Sequence, residues 1–141
     1  MHEHVKAQAA FEYMVIVIIA LGFMIPIWLY VTSVKSNTTQ ELSLSYAKNT
    51  VEKLASTADL IYSQGAPAKV KVNVYIPDGV IGYLLANYTI NLVMVYESTV
   101  TDVFAVSRAR INGTLPTSEG NYWIQIEAVD NPNYDVSMQT V

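Results

Sequence analysis

Hydrophobic and polar positions along the chain fall into three regimes. From Tyr13 to Val34 no residue carries a charge, and Met14-Val15-Ile16-Val17-Ile18-Ile19-Ala20-Leu21 is apolar on every side of a helix. Such a helix is buried in lipid or in protein. About 20 residues of this kind cross a bilayer core of ~30 Å. Further on, Leu44, Ala47, Val51, Leu54, Ala58 and Ile61 recur at spacings of 3, 4, 3, 4 and 3. This is a narrow apolar stripe down one helix face, with Glu41, Lys48, Glu52, Lys53 and Asp59 mostly off it. From Ala68 the period falls to two. Val70, Val72, Val74 and Ile76 alternate with Lys69, Lys71, Asn73 and Tyr75, which predicts a strand with one buried face. Tyr88–Tyr96 and Tyr122–Val129 alternate in the same way, Val100–Ile111 does so less cleanly, and Tyr134–Gln139 follows as a last strand. Pro77-Asp78-Gly79, Asn112-Gly113, Glu119-Gly120 and Asn131-Pro132-Asn133 read as turns between them. The expectation is α+β: a long N-terminal helix, apolar in its first half and amphipathic in its second. Its stripe packs on a C-terminal antiparallel meander of five or six strands.

Two places along the helix leave a choice. Pro26 removes a hydrogen bond to residue 22, which is Gly22 and can yield locally, so a kink between Gly22 and Pro26 or a helix end before Pro26 both fit. At Ser36-Asn37-Thr38-Thr39, either the helix continues or Thr38 and Glu41 form a capping box that starts a second one. Continuity gives a helix from about Gln8 to Ser63, and Gly65 followed by Pro67 stops it.

Composition narrows the function classes. The 141 residues are 52% hydrophobic and 14% charged, the reverse of a disordered chain. A net charge of -4 without a Lys/Arg cluster excludes a basic nucleic-acid binder. There are no cysteines, so disulfides, thiolate metal sites and cysteine nucleophiles are excluded. The apolar surplus is concentrated, because 21 of the 26 positions in residues 9–34 are hydrophobic. That segment makes a poor secretory signal peptide. Glu12 abuts it, it exceeds an h-region of ~7–15 residues, and no Ala-x-Ala site follows. It is expected to remain in the mature protein as a membrane anchor. Lys6 on one side and Lys35 on the other leave its orientation open.

Candidate chemistry is sparse. His2 and His4 are the only histidines, and no phosphate loop, nucleophile elbow or metal-ligand spacing occurs. Asp59, Asp78, Glu97, Asp102, Glu119, Glu127, Asp130 and Asp135 are scattered and read as solvated charges, as do Lys69/Lys71 and Arg108/Arg110. No catalytic residue, metal site or cofactor is assigned. Three Asn-x-Ser/Thr sequons, at Asn37, Asn87 and Asn112, are candidate N-glycosylation sites of an exported chain.

Lys6-Ala7-Gln8-Ala9-Ala10-Phe11-Glu12-Tyr13, running directly into the apolar segment, resembles the processing site of archaeal type IV pilins. Ala10 stands where that family usually has Ser. The resemblance implies a cytoplasmic leader, residues 1–7, cleaved between Ala7 and Gln8 by a membrane peptidase, with Lys6, Ala7 and Gln8 forming the processing site. It implies a helix over 8–64 that spans the membrane in the precursor and forms the filament core after assembly, and an extracellular β-sheet head over 65–141. An intramembrane carboxylate calls for a partner. For Glu12 the resemblance supplies the new amino group of Gln8 on a neighbouring subunit, with Tyr13 beside it in the assembly motif. The implied function is that of a structural subunit of an adhesive cell-surface filament. Its implied partners are copies of itself, the peptidase and the assembly machinery, with the precursor in the cytoplasmic membrane. Two alternatives stand beside it: a pilin-like component of another surface or secretion machine, and an unprocessed single-pass membrane-anchored binding ectodomain.

Overall fold

The computed structural model describes the backbone of residues 2–96 and 98–141, and their side chains other than those of residues 2–9, 36 and 37. The helical regimes form one element, α1 (His2–Gln64), which runs through Pro26 and through residues 36–39. Within the polar stretch the threonine hydroxyls turn back on the helix. Thr38 Oγ1 donates to the Val34 carbonyl and Thr39 Oγ1 to the Lys35 carbonyl, both at 2.9 Å. A capping box would instead need the Thr38 oxygen to accept from a backbone N–H of a new first turn. The stop is where the glycine predicts it. Gly65, at φ +75°, donates from its N–H to the carbonyls of Ile61 and Tyr62.

The chain forms two compact units, Met1–Thr39 and Gln40–Val141. The boundary falls inside α1, so the amphipathic half of the helix belongs to the β unit. Seven strands follow it: β1 (Lys69–Ile76), β2 (Val80–Ala86), β3 (Thr89–Tyr96), β4 (Thr99–Val106), β5 (Ile111–Gly113), β6 (Gly120–Ala128) and β7 (Val136–Thr140). They make two sheets, one ordered β1-β6-β7-β5 and one ordered β2-β3-β4. The expected single antiparallel meander is therefore corrected in two respects. The strands divide between two sheets, and β5 pairs with β7 in parallel while every other pairing is antiparallel.

The core lies where the helix stripe meets the inward positions of both sheets. Ala47, Val51, Leu54, Ala58 and Ile61 are buried, with Ala55 beside them and Leu44 packed at the margin. Val74, Ile76, Ile124 and Ile126 of the first sheet, and Ile90, Leu92 and Met94 of the second, belong to the same buried cluster. Strand β1 lies at an edge of its sheet, and α1 covers its carbonyls. Thr50 Oγ1 donates to the Tyr75 carbonyl at 2.6 Å and Lys53 Nζ to the Asn73 carbonyl at 2.7 Å. Edge strands are commonly blunted by such cover, because their open polar groups otherwise recruit another chain.

Candidate functional site

Every described position of α1 from Ala10 to Lys35 is exposed. The segment presents 18 large hydrophobic side chains, Phe11 to Val34, including Trp28 and Tyr30 near its end. By length and composition it can cross a membrane. Removing from water the remaining exposed surface of one such side chain is worth about 1 kcal/mol, so the segment as a whole represents about 20 kcal/mol. On that scale an apolar environment, lipid or protein, favours the segment over water.

Of the residues singled out by the sequence, Glu12 and Tyr13 lie on this segment and are exposed. Gly22 has open space on its Cβ side, and Pro26 lies inside the helix. Thr32 Oγ1, six residues beyond the proline, donates to the carbonyls of Trp28 (3.1 Å) and Leu29 (2.9 Å). The processing-site residues Lys6, Ala7 and Gln8 fall on helical backbone, and their side chains lie outside the described set, as does that of Asn37. Glu97 lies outside the described residues. Asn87 is exposed, with φ +52°, in the turn joining β2 to β3. Asn112 is exposed too, but not in the expected turn. It sits in β5 opposite Ser137, its Oδ1 accepting from the Gly113 N–H at 2.8 Å.

Three of the charges read as solvated, Asp59, Arg110 and Asp135, form two structural anchors. Asp59, on the helix, accepts from Ser107 Oγ at 2.6 Å and from the Arg108 N–H at 2.7 Å, pinning the segment between β4 and β5. Its partners lie 48 and 49 residues away, a separation no local pattern reveals. Asp59→Ala leaves buried Ser107 and the Arg108 amide without this acceptor, and is expected to cost about 1–3 kcal/mol in urea denaturation. The second anchor is Asp135. Arg110 Nη2 donates to its Oδ1 at 2.8 Å, and Arg110 Nε and the Arg110 N–H donate to its Oδ2. In return the Asp135 and Val136 N–H groups donate to the Arg110 carbonyl, which sets the entry to the parallel β5·β7 pair.

The side-chain hydrogen bonds from Arg110, followed by its backbone N–H, lower the Asp135 pKa from the ordinary 3.8. Because the folded value lies below the unfolded one, the stabilisation is complete above about pH 4 and is lost as pH falls through the lowered folded value. Asp135→Asn is therefore expected to flatten the acid limb of the stability profile. Urea midpoints of variant and parent, well separated at pH 6, should converge as pH falls below the ordinary carboxylate range.

Among the described residues, no group of three or more His, Cys, Asp or Glu side chains is placed to hold a metal ion. No family model, no curated protein and no solved structure matches the chain.

Proposed function

We propose that the chain is a structural subunit of an archaeal type IV pilus-like cell-surface filament. In this reading a prepilin is cleaved between Ala7 and Gln8. Its apolar helix holds it in the cytoplasmic membrane, and the same helix then packs among copies of itself as the filament core. The observation that carries the reading is the exposed, uncharged stretch of α1 in a chain whose β unit has a buried cluster of its own. Such a helix satisfies its backbone internally, so its transfer from lipid to a bundle of like helices changes only side-chain packing. Glu12, one residue before the uncharged run, pairs with the Gln8 amino group of a neighbour in the assembled state. The Lys6–Tyr13 motif adds support through its resemblance to pilin processing sites. The β unit forms the outer surface, where adhesion takes place and where Asn87 and Asn112 accept glycans.

Electron microscopy of filaments sheared from native cells, with mass spectrometry of the same material, tests this reading. The expected result is a thin filament containing this chain as its principal polypeptide, with rod-like density at its axis. Recovery of the chain only as a dispersed membrane protein would contradict it.

A further inference from the structure

A groove follows the edge of the first sheet where α1 covers β1. Across it Tyr46 and Asn49 of the helix face Asn73 and Tyr75 of β1 and Asn121 of β6, around a hollow of about 230 Å³. Asn121 is the ladder partner of Tyr75, and the Tyr46 and Tyr75 rings meet edge-on with centroids 5.2 Å apart. Three neighbouring groups are already engaged. Thr50 Oγ1 and Lys53 Nζ donate to β1 carbonyls, and the Tyr75 hydroxyl donates to Glu119 Oε1 at 2.7 Å. Among the described residues, by contrast, the side-chain amides of Asn49, Asn73 and Asn121 make no hydrogen bond. Three carboxamides with open donors and acceptors thus converge on one hollow beside two aromatic rings.

We infer that this groove binds a neutral saccharide. Charge narrows the ligand first. Among the described residues Lys53 is the one ionic side chain lining the hollow, and its ammonium is held by the Asn73 carbonyl. An anion therefore finds no open cation there, and a cation finds no carboxylate. An apolar ligand would strip the amides of water and leave them unpaired. A ligand rich in hydroxyls replaces that water group for group. Each carboxamide sets a donor beside an acceptor, which matches a pair of vicinal hydroxyls, and the tyrosine rings offer apolar surface to the C–H face of a pyranose. Size agrees, because the hollow falls below the ~300–1,000 Å³ of sites for larger ligands and suits one sugar ring. Trp123 provides for a second ring. It is the ladder partner of Asn73, about 7 Å along the strands from the Tyr75–Asn121 pair, and it is 54% exposed although tryptophan is ordinarily well buried. Val74 and Ile124 are buried, so their neighbours Asn73, Tyr75 and Trp123 share the opposite, outward face. In naming a ligand for an adhesive outer surface the inference rests on the proposed function, but binding itself requires neither cleavage nor a filament.

The chain has two tryptophans, so Trp28→Phe leaves Trp123 as the sole fluorophore. The full-length Trp28→Phe protein, produced without glycans and held in a non-glycosidic detergent, is titrated with tetrasaccharides of glucose, mannose, galactose and N-acetylglucosamine. Without glycans, any signal comes from the added saccharide and not from a glycan on another copy. Saturation-transfer NMR follows the sugar C–H protons in parallel. At least one probe should saturate with a Kd of about 1 mM, as a few hydrogen bonds and a stacked ring supply. Asn73→Ala and Trp123→Ala, the latter read by NMR, should each weaken binding about tenfold with unchanged circular dichroism. Lys69→Ala, on the same sheet outside the groove, should leave it unchanged. No saturating response to any of the four, a response only to inorganic phosphate or tetramethylammonium, or equal binding by Asn73→Ala and Trp123→Ala would overturn the inference. Saccharide binding by a chain that forms no filament contradicts the proposed function alone. A filament whose subunit binds none of the probes contradicts this inference alone.

Discussion

Leu54→Ala is expected to remove about 3–4 kcal/mol from the unfolding free energy of the β unit. Leu54 is fully buried, in the stripe where α1 meets both sheets. Truncation there loses the transfer free energy of the side chain and also leaves a cavity. The same buried cluster takes in Ile126 of β6 and Leu92 of β3, whose strands hold them in place, so such a cavity closes only in part. Leu60 provides the internal comparison. It has the same chemistry on the same helix but is 54% exposed, and Leu60→Ala should change stability by less than about 0.5 kcal/mol. Urea denaturation followed by circular dichroism reads both variants. Equal losses would mean that the 3-4 stripe is not the buried face.

Gly113→Ala should be nearly as costly, at about 3 kcal/mol or more, for a reason of backbone rather than core. Gly113 lies at φ +146°, a region that side-chain-bearing residues rarely adopt, and a Cβ there would run into the Met138 backbone across the parallel β5·β7 pair. The adjacent Thr114 N–H donates to the Met138 carbonyl at 3.0 Å, so relief of the clash opens that bond as well. The substitution retains the Asn-x-Thr sequon, which separates loss of fold from loss of a glycan acceptor. Amide exchange should increase over β5 and β7 and remain protected over β1. Unchanged exchange in β7 would show that the strand pair tolerates the Cβ.

The sequence disclosed the fold wherever one face of an element is apolar and the other polar. The α1 stripe, β1 and β6 are of that kind, and their burial follows the alternation, fully at Val74, Ile76, Ile124 and Ile126 and by half at Leu44, Val70 and Val72. Strand β2 was not legible, and β4 only poorly, because their outward residues are also apolar. Val80–Ala86 reads Val-Ile-Gly-Tyr-Leu-Leu-Ala, with a register shift between Val80 and Gly82 that breaks the period. The lost alternation and the exposed apolar face have the same origin. Asn112-Gly113 misled in a different way. The pair is a strong hairpin signal, but here the glycine serves a close backbone approach within a short strand. Arg110 with Asp135, and Asp59 with Ser107, are contacts between elements whose spacing carries no periodic signal. The exposed helix segment was fully legible, because freedom from charge over the length of a bilayer is a property of local sequence alone.

In the proposed function the apolar helix is retained and becomes the polymerisation element once a short leader is removed. The intact mass of the protein isolated from its native cell surface tests this most directly. The expected polypeptide begins at Gln8 and includes the whole of the segment to Val34. A chain that retains Met1–Ala7, or one whose first residue lies beyond Val34, would contradict it.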